Sequence, residues 1–345
     1  MVKRGHKAIV VSAGGSMVAE LNKVGAQHVS MSIGNKSPAC LLSIVKLRKL
    51  LLTSRPHILH ARSRLPAWMS YFACSTLRKE DRPTLVTSVH GPYSVNAYSK
   101  IMLRGERVIA ISEFIQRYIS NNYPDVDQNK VRLVYRGINP KTFPHSYKPS
   151  SEWLRKWEKE NPANAECFLL TLPARITRWK GQEDFIHLIQ ALKKSGANVH
   201  GLIVGGVEAR RELFRKELDA LVRKNGVSQH ITFLGHRNDL KEIMSVSDLV
   251  LSLSQEPEAF GRTSLEALSL GKPVVAYDHG GASEVLKEIF PAGLVPALNL
   301  NAVIEKVSDF SASTPPVPET HSFTLQRMLS ETIGIYEELA SGQTS

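Results

Sequence analysis

The chain has 345 residues, 42% of them hydrophobic, and a formal net charge of +12. This length is sufficient for two α/β domains, each with its own core. The basic balance favours anionic partners, but no basic block, zinc finger or RNP motif accompanies it, which argues against nucleic acid. We therefore expect nucleotide phosphates and an anionic membrane surface as partners. A basic protein whose charge has no specific partner is the alternative.

The three cysteines, Cys40, Cys74 and Cys167, are widely separated and lie in apolar contexts. This usage is typical of a reducing compartment and argues against a disulfide framework or a zinc site. No apolar run is long enough to cross a bilayer. The sequence predicts a cytoplasmic protein, with peripheral attachment to the inner face of the plasma membrane left open.

Short apolar runs alternate with helical stretches in the first half of the chain. The predicted strands are Lys7–Ala13, His28–Ile33, His57–Ala61, Thr84–His90, Val108–Ser112 and Val131–Tyr135. The predicted helices include Cys40–Leu52, Ala67–Leu77 and Glu113–Asn121. Strands that alternate with helices predict a doubly wound parallel sheet.

The alternation restarts after a polar stretch, residues 146–165, which we interpret as an interdomain linker with a short helix over Glu152–Glu160. The strands predicted beyond it are Cys167–Leu172, Gly201–Val204, Ile231–Leu234, Leu249–Leu253, Val274–Tyr277 and Leu294–Val295. A helix is predicted over Glu208–Lys224, with apolar residues near helical spacing at Leu213, Phe214, Leu218, Leu221 and Val222. A proline-rich connector, Ser313–Pro318, precedes an amphipathic final helix, Thr324–Ala340.

The stretch Ser254–Asp278, SQEPEAFGRTSLEALSLGKPVVAYD, carries the most specific chemistry. It predicts a loop after the strand Leu249–Leu253 and then a helix over Gly261–Leu270. Such a unit points the helix N-terminus, with its free N–H groups, at the carboxyl edge of a parallel sheet, which makes an anion site. Gly261 allows a ligand close to the backbone, and Arg262 adds a fixed positive charge.

Two carboxylates bracket this anion site: Glu258 lies just before the helix, and Glu266 lies eight residues on, inside it. One carboxylate can hold hydroxyls on one side of a phosphate group, and the other can hold hydroxyls on the other side. A nucleotide-sugar, with its ribose, diphosphate and sugar, has that shape. The alternative is an ordinary βαβ unit with a solvated glutamate at each end.

The string PEAFGRTSLEALSLGKPVVAYDHGGASE, Pro257–Glu284, resembles the E-x7-E signature of the retaining glycosyltransferases of family 4, which have the GT-B fold. The resemblance implies an α/β protein of two Rossmann-like, doubly wound parallel-sheet domains that face each other across a cleft. It also implies that Glu258 holds the donor sugar, that Glu266 holds the nucleotide ribose, and that the backbone at Phe260–Arg262 binds the diphosphate.

Arg175 and Lys180 stand five residues apart on a predicted tight loop, LPARITRWKG, so that both can reach one diphosphate. Charge-assisted bonds of this kind contribute about 1.5–3 kcal/mol each. The loop resembles the family's GRLxxxKG motif, which implies that the two cations neutralise the leaving diphosphate. A pair of solvated surface cations is the alternative, and Arg178 is interpreted as a bystander.

His90 ends a predicted strand in SVHGPY, at the edge of the sheet where ligands of such folds bind. It resembles the family's HG motif, which implies a place beside the donor sugar, and a structural histidine is the alternative. Gly235 and His236, in FLGHRNDL, follow another strand where the family places the nucleotide base. The predicted catalytic residues are Glu258, Arg175, Lys180 and His90, and the predicted substrate-binding residues are Glu266, Phe260, Gly261, Arg262, Gly235 and His236.

Asp125 and Asp127 form a D-x-D in YPDVDQNK. Glycosyltransferases of another fold hold Mg²⁺ or Mn²⁺ with such a pair, but here it lies in a polar turn away from the anion site. Because Arg175, Lys180 and the helix N-terminus supply positive charge, we expect no metal. We also expect no cofactor, only a UDP-, GDP- or ADP-linked sugar as co-substrate.

The opening residues, MVKRGHKAIVVSAGG, resemble the second strand of a family member. The family's first strand and Gly-rich loop are then expected to be missing from the acceptor-side domain, residues 1–145, through a late start or a real loss. Because that strand is central, its loss predicts an unpaired gap or a rearranged sheet. Residues 166–318 are the expected nucleotide-sugar-binding domain, and 319–345 the helix that crosses back to the first domain.

The segment Ala39–Leu52, ACLLSIVKLRKLLL, interleaves apolar residues with Lys46, Arg48 and Lys49. Two interpretations are open: a basic amphipathic helix that lies on a membrane, or a helix packed on the sheet whose cations reach water.

Together these features predict a retaining, metal-independent glycosyltransferase that moves a hexose-type sugar to a glycan or lipid-linked acceptor. The resemblance and the basic charge favour lipopolysaccharide or other cell-envelope polysaccharide synthesis. Two alternatives are a sugar-nucleotide epimerase on the same fold and a truncated, non-catalytic nucleotide-sugar-binding protein.

Overall fold

The computed structural model describes residues 1–34, 40–161 and 166–342. The chain divides into two compact units: residues 1–135 together with those from 328 onwards, and residues 136–327. Ala39, the last four residues of the predicted linker and the last three of the predicted terminal segment lie outside the described residues. No described helix is both long and apolar enough to cross a bilayer.

The first unit contains two parallel sheets. Strands β1 (Ile9–Ser12) and β2 (Gln27–Ser30) pair with each other, and a second sheet has the order β3 (Ile58–Ala61), β4 (Thr84–Val89), β5 (Arg107–Ala110) and β6 (Val131–Leu133). Across the described ranges, each of β1 and β3 pairs along one edge only. The strands of this unit therefore do not form one continuous sheet.

The helices of this unit are α1 (Val18–Lys23), α2 (Cys40–Ser54), α3 (Arg64–Ser75), α4 (Ala97–Lys100) and α5 (Glu113–Asn122). Helix α2 buries Leu47 and Leu51 against residues of α3 such as Met69. On its other side it exposes Leu42 and Val45, next to the exposed cations Lys46, Arg48 and Lys49. It thus packs on the core of the unit, as one interpretation predicts, while it presents a mixed apolar and basic face to solvent.

Helix α13 (Leu325–Ala340) packs on the first unit from Met328 onwards. Its Ile335 and Leu339 join Val86, Ile109 and Val134 in one buried cluster. His60 bridges Tyr336 and Ser88, at 2.5 Å from the phenol and 2.7 Å from the hydroxyl. Burial, with the charge of Arg62, lowers the pKa of His60 to about 4, so this histidine is a neutral part of the hydrogen-bonded core.

The second unit has one six-stranded parallel sheet with the order β12-β11-β10-β7-β8-β9. Its strands are β7 (Phe168–Pro173), β8 (Val199–Val204), β9 (Ile231–Gly235), β10 (Leu249–Ser252), β11 (Val274–Tyr277) and β12 (Leu294–Val295). Its helices are α6 (Ser151–Glu160), α7 (Gln182–Lys194), α8 (Glu212–Lys224), α9 (Leu240–Val246), α10 (Arg262–Ser269), α11 (Gly280–Ile289) and α12 (Leu300–Ala312). Strands β7, β8, β10 and β11 are almost wholly buried, as expected where helices cover both faces, and the edge strand β9 is only partly buried.

Two segments differ from their predictions. Helix α6 lies in the stretch that we interpreted as a linker, yet Trp157 is buried in the core of the second unit with Leu169 and Leu202, because two stacked tryptophans give this polar helix one apolar face. The helix predicted from Glu208 begins at Glu212, after a 3-10 turn over Ala209–Arg211. Leu213 is 74% exposed, so its assignment to the apolar face was wrong.

Candidate active site

The strand order of the second sheet reverses between β7 and β10. From β7 the chain moves outward through β8 and β9, returns to β10 beside β7, and continues outward through β11 and β12. Ligands of such sheets bind outside the carboxyl ends of the strands at this point. The two loops that leave there are residues 174–181 and residues 253–261, and a small cavity of about 10 Å³ lies between them.

Helix α10 begins at the end of the second of these loops. Gly261 has φ of 79°, and a Cβ there would lie 2.5 Å from the Cα of Ala282, so only glycine allows this loop to pack against α11. The free N–H groups of the first turn and the helix dipole favour an anion here. Within the part of the chain that the structure describes, the hydroxyl of Ser264 is buried without a hydrogen-bond partner, and the residue lines the cavity.

Glu258 and Lys180 meet across the two loops. The Nζ of Lys180 lies 2.6 Å from Oε1 of Glu258, and both side chains are less than one-fifth exposed. The hydroxyl of Ser254 donates to the same carboxylate oxygen. The backbone of Glu258 is fixed as well, because the N–H of Gly281 donates to its carbonyl at 2.7 Å. A charged, half-enclosed pair thus stands beside the N-terminus of α10.

Glu266 lies one turn into α10 and pairs with Arg262, whose Nε donates to Oε1 at 2.8 Å. The carboxylate is 10% exposed, whereas the guanidinium is 76% exposed. Burial raises the pKa of Glu266, and the charge of Arg262 opposes that effect. Arg262 can therefore reach a ligand in solvent, while Glu266 offers a held carboxylate to hydroxyl groups.

The loop after β7 is held from both sides. The side-chain amide of Gln182 donates to the carbonyl of Arg175 at 3.0 Å. Arg178, interpreted as a bystander, pairs with Glu217 of α8 at 2.7 Å and lies over the ring of Phe214. The side chain of Arg178 thus ties the loop to α8, which leaves Arg175 and Lys180 to act elsewhere.

Sequence reasoning missed a third loop, residues 205–208, after β8. A Cβ on Gly205 would lie 2.0 Å from the carbonyl oxygen of Ala174, so the two loops touch through backbone. Glu208 accepts hydrogen bonds from Arg175 at 3.1 Å and from Arg210 at 2.8 Å. The hydrogen bond and charge of Arg210 lower the pKa of Glu208. The available signal was the Gly-Gly pair directly after a buried strand.

The fourth loop follows β9, which ends at Gly235. His236 lies next to Gly206, where an added Cβ would come within 3.4 Å of the histidine Cβ. Arg237 donates two hydrogen bonds to Asp239, at 2.8 and 2.6 Å, and they lower the pKa of Asp239 to about 2. The Arg237–Asp239 pair thus joins two residues of the same loop and stabilises its conformation.

The second unit therefore brings nine of the ten predicted site residues to one sheet edge: Arg175, Lys180, Gly235, His236, Glu258, Phe260, Gly261, Arg262 and Glu266. The ring of Phe260 is buried against Phe323, so its side chain belongs to the core of the second unit. His90 belongs to the first unit, where it follows β4 and its N–H donates to the hydroxyl of Tyr93 at 3.4 Å. Asp125 pairs with Lys100, and Asp127 caps a short turn.

This architecture, with its site at the switch point of the second sheet, is that of the GT-B glycosyltransferases. Residues 1–142 match the family described as Glycosyltransferase Family 4, and residues 155–320 match Glycosyl transferases group 1. The chain therefore belongs to the family 4 glycosyltransferases.

Similar proteins agree with this assignment. A glycosyltransferase from Rickettsia africae ESF-5 is 28% identical, with a TM-score of 0.82 over 98% of this chain and 91% of that chain. HepE from Anabaena, solved in complex with UDP and glucose, is 21% identical, with a TM-score of 0.73 over 96% and 87% of the two chains. The lipopolysaccharide core biosynthesis mannosyltransferase LpsB of Rhizobium meliloti (strain 1021) is 27% identical over 63% of this chain, a match that spans 59% of LpsB.

Proposed function

We propose that this glycosyltransferase moves a hexose-type sugar from a UDP-, GDP- or ADP-linked donor to a glycan or lipid-linked acceptor of the cell envelope. In this proposal the transfer retains the anomeric configuration and needs no metal ion. The observation that carries the proposal is the Lys180–Glu258 pair at the N-terminus of α10, 2.6 Å apart. It sets a cation and a carboxylate at one anion site, as a diphosphate joined to a sugar requires.

The chemistry follows from the charges at that edge. The acceptor oxygen forms a bond to the anomeric carbon on the face from which the diphosphate departs, while the bond from that carbon to the diphosphate oxygen breaks. The diphosphate leaves with the electron pair, and one of its oxygens takes the proton of the acceptor hydroxyl. Negative charge therefore develops on the diphosphate. In this proposal Lys180, Arg175 and the N–H groups of the first turn of α10 stabilise it, and preorganised groups of this kind usually supply the largest catalytic term.

The two carboxylates account for the two ends of the donor. Glu258 accepts hydrogen bonds from the sugar hydroxyls, and Glu266 accepts them from the ribose. HepE, a structural neighbour, was solved with UDP and glucose, and LpsB is named as a mannosyltransferase of lipopolysaccharide core biosynthesis. Both names support a nucleotide-linked hexose as the donor, and the second supports an envelope acceptor.

A membrane-bound acceptor agrees with the exposed face of α2. Leu42 and Val45 are each about two-thirds exposed, and Lys46 and Lys49 lie beside them at helical spacing. Apolar and basic residues on one helix face favour an anionic bilayer surface. Flotation with vesicles of phosphatidylcholine, with and without phosphatidylglycerol, tests this part. Binding that does not depend on the anionic lipid would contradict it.

The test of the donor site is thermal stabilisation of the purified chain by UDP, GDP, ADP and their sugars. A ligand at about 100 times its dissociation constant adds about 2.7 kcal/mol of stability, which is readily measured. We expect one nucleotide family to stabilise the protein and Glu258→Gln to weaken binding of the nucleotide-sugar more than that of the nucleotide. No stabilisation by any nucleotide would overturn the proposal.

The reaction is then tested with the stabilising donor. Proton NMR of the product should show the anomeric configuration of the donor, and the rate should be unchanged by EDTA. Conversion of the donor without an acceptor would instead support the epimerase. Nucleotide binding without any transfer, over a broad acceptor panel, would support a non-catalytic binding protein.

A further inference from the structure

The carboxyl edge of the four-stranded sheet in the first unit carries a cation in an unusual setting. Arg64 is the first residue of α3, three residues beyond the end of β3, and its side chain is half-buried. Within residues 1–34, 40–161 and 166–342, no carboxylate comes within ion-pairing distance of its guanidinium. Its positive charge therefore has no acidic counterpart in the described structure.

Instead of an acid, aromatic rings and a hydroxyl hold Arg64 in place. The guanidinium carbon lies 4.9 Å from the ring centre of Tyr93 and 5.4 Å from that of Tyr98. Its Nη1 donates to the hydroxyl of Ser99 at 3.2 Å. Cation–π contacts fix the plane of a guanidinium without neutralising its charge. Most of its five N–H donors stay available for an acceptor group.

The residues that hold Arg64, which are Tyr93, Tyr98 and Ser99, are themselves fixed by hydrogen bonds. Trp68 of α3 donates its indole N–H to the carbonyl of Tyr98 at 3.0 Å, and the hydroxyl of Tyr118 donates to the carbonyl of Tyr93. The backbone N–H of Ser99 donates to the side chain of Asn96 at 2.8 Å. Arg64 is thus preorganised, and a preorganised fork loses less freedom when it binds a ligand.

The position of Arg64 relates it to the predicted site. The hydroxyl of Tyr93, whose ring lies against Arg64, contacts the N–H of His90. Arg62 stands two residues before Arg64 and is exposed, so it adds a second positive charge to this edge.

We propose that Arg64 binds an oxyanion, a phosphate or a carboxylate, carried by the acceptor. The inference rests on the proposed function, because the resemblance makes the first unit the acceptor side. A planar guanidinium pairs with two oxygens of a phosphate or carboxylate at once. An acceptor of this kind carries a negative charge, and a neutral glycan lacks the group that Arg64 recognises.

The test compares a neutral hexose with two acidic derivatives of the same hexose. Glucose, glucose 6-phosphate and glucuronate are titrated calorimetrically into the protein, with the stabilising nucleoside diphosphate present at saturation and also without it. We expect the acidic probes to bind at least about tenfold more tightly than glucose. Arg64→Gln should abolish that preference, and Arg64→Lys, which keeps the charge but loses the fork, should retain part of it.

Arg104 provides the matched control. It also lies over a tyrosine ring, that of Tyr71 at 5.1 Å, and donates to its hydroxyl, but it precedes β5 and so lies at the amino edge of the sheet. Arg104→Gln should leave the preference unchanged. Equal binding of glucose and glucose 6-phosphate by the wild type, or an equal loss in the Arg104 variant, would overturn the proposal.

One further arm, with lipid vesicles, completes the experiment. Binding to vesicles that contain phosphatidylglycerol is compared between wild type and Arg64→Gln, to distinguish a lipid phosphate from a soluble one. Vesicle binding that depends on Arg64 assigns the anion to the lipid. Dependence on Arg64 with glucose 6-phosphate but not with vesicles assigns the anion to the glycan. The experiment measures binding of the acidic probes rather than sugar transfer, so its result does not depend on the result of the donor test. Absence of nucleotide stabilisation would count against the proposed function, whereas an unchanged Arg64 variant would count against this inference alone.

Discussion

The two units carry the positive charge of their sheet edges in different ways. In the second unit each predicted diphosphate-binding cation is matched with a carboxylate, in the pairs Lys180–Glu258, Arg262–Glu266 and Arg175–Glu208. In the first unit Arg64 is held by two tyrosine rings and a hydroxyl. In the second unit a ligand must replace the carboxylate partners of the cations. In the first unit the rings and the hydroxyl leave the charge of Arg64 without neutralisation.

The difference has a physical consequence for binding. A cation paired with a carboxylate gains from a phosphate only the difference between two ion pairs, so its contribution to ground-state affinity is modest. Lys180 contributes more when charge builds up on the leaving group, because its pair with Glu258 lies in a partly enclosed site. We therefore expect Lys180 to affect the rate of transfer more than the affinity for the donor.

Lys180→Met should give the largest effect. Loss of one charge-assisted contact to the leaving group costs about 1.5–3 kcal/mol, which lowers the transfer rate about 10- to 150-fold, with a smaller change in the KM for the donor. Arg178→Met is the matched control, since Arg178 stands two residues away and pairs with Glu217, and its rate should stay within about threefold. Equal losses of transfer rate in the two variants, measured by steady-state kinetics, would contradict a specific role for Lys180.

Much of this arrangement could be predicted from local sequence. The alternation of apolar strands and helices predicts the sheet, and the loop that ends at Gly261 before α10 predicts the anion site, because both depend on residues close together in the chain. The second sheet and the predicted E-x7-E helix lie within a few residues of their predicted bounds.

What sequence could not show depends on contacts between distant residues. Arg64 and Tyr98 are more than thirty positions apart, and no local pattern indicates that they touch. The predicted helix was extended back to Glu208 because the apolar residues that follow it, from Leu213 onwards, stand near helical spacing. In the structure the carboxylate of Glu208 instead accepts hydrogen bonds from Arg175, in the loop after β7, and from Arg210, in the 3-10 turn that follows. The burial of Trp157 was not predicted, because a single tryptophan hardly changes the polar composition of residues 146–165.

The Arg237–Asp239 pair tests whether ion pairs at this edge also stabilise the fold. Its hydrogen bonds lower the pKa of Asp239 from 3.8 to about 2, so the stabilisation is fully present above about pH 4 and is lost as the pH falls towards 2. Allowing for solvent screening, we expect about 1 kcal/mol. Urea unfolding of wild type and Asp239→Asn should differ by that amount at pH 6, and the difference should shrink steadily as the pH falls from about 4 towards 2. Asp309→Asn, an exposed site in α12, should show no such difference, and a gap that persists at low pH would indicate packing rather than charge.

Glu208→Gln should have the smallest effect and the most informative sign. If Glu208 competes with the diphosphate for Arg175, its removal should raise the affinity for a nucleoside diphosphate about two- to fivefold, since exposed pairs contribute little. A nucleoside, which has no phosphate, should bind as before. Glu217→Gln releases Arg178 instead and should leave the diphosphate affinity unchanged. Calorimetry that shows weaker diphosphate binding to Glu208→Gln would mean that the carboxylate positions Arg175 for its ligand, so that the paired cations of the second unit would be preorganised in the same sense as Arg64.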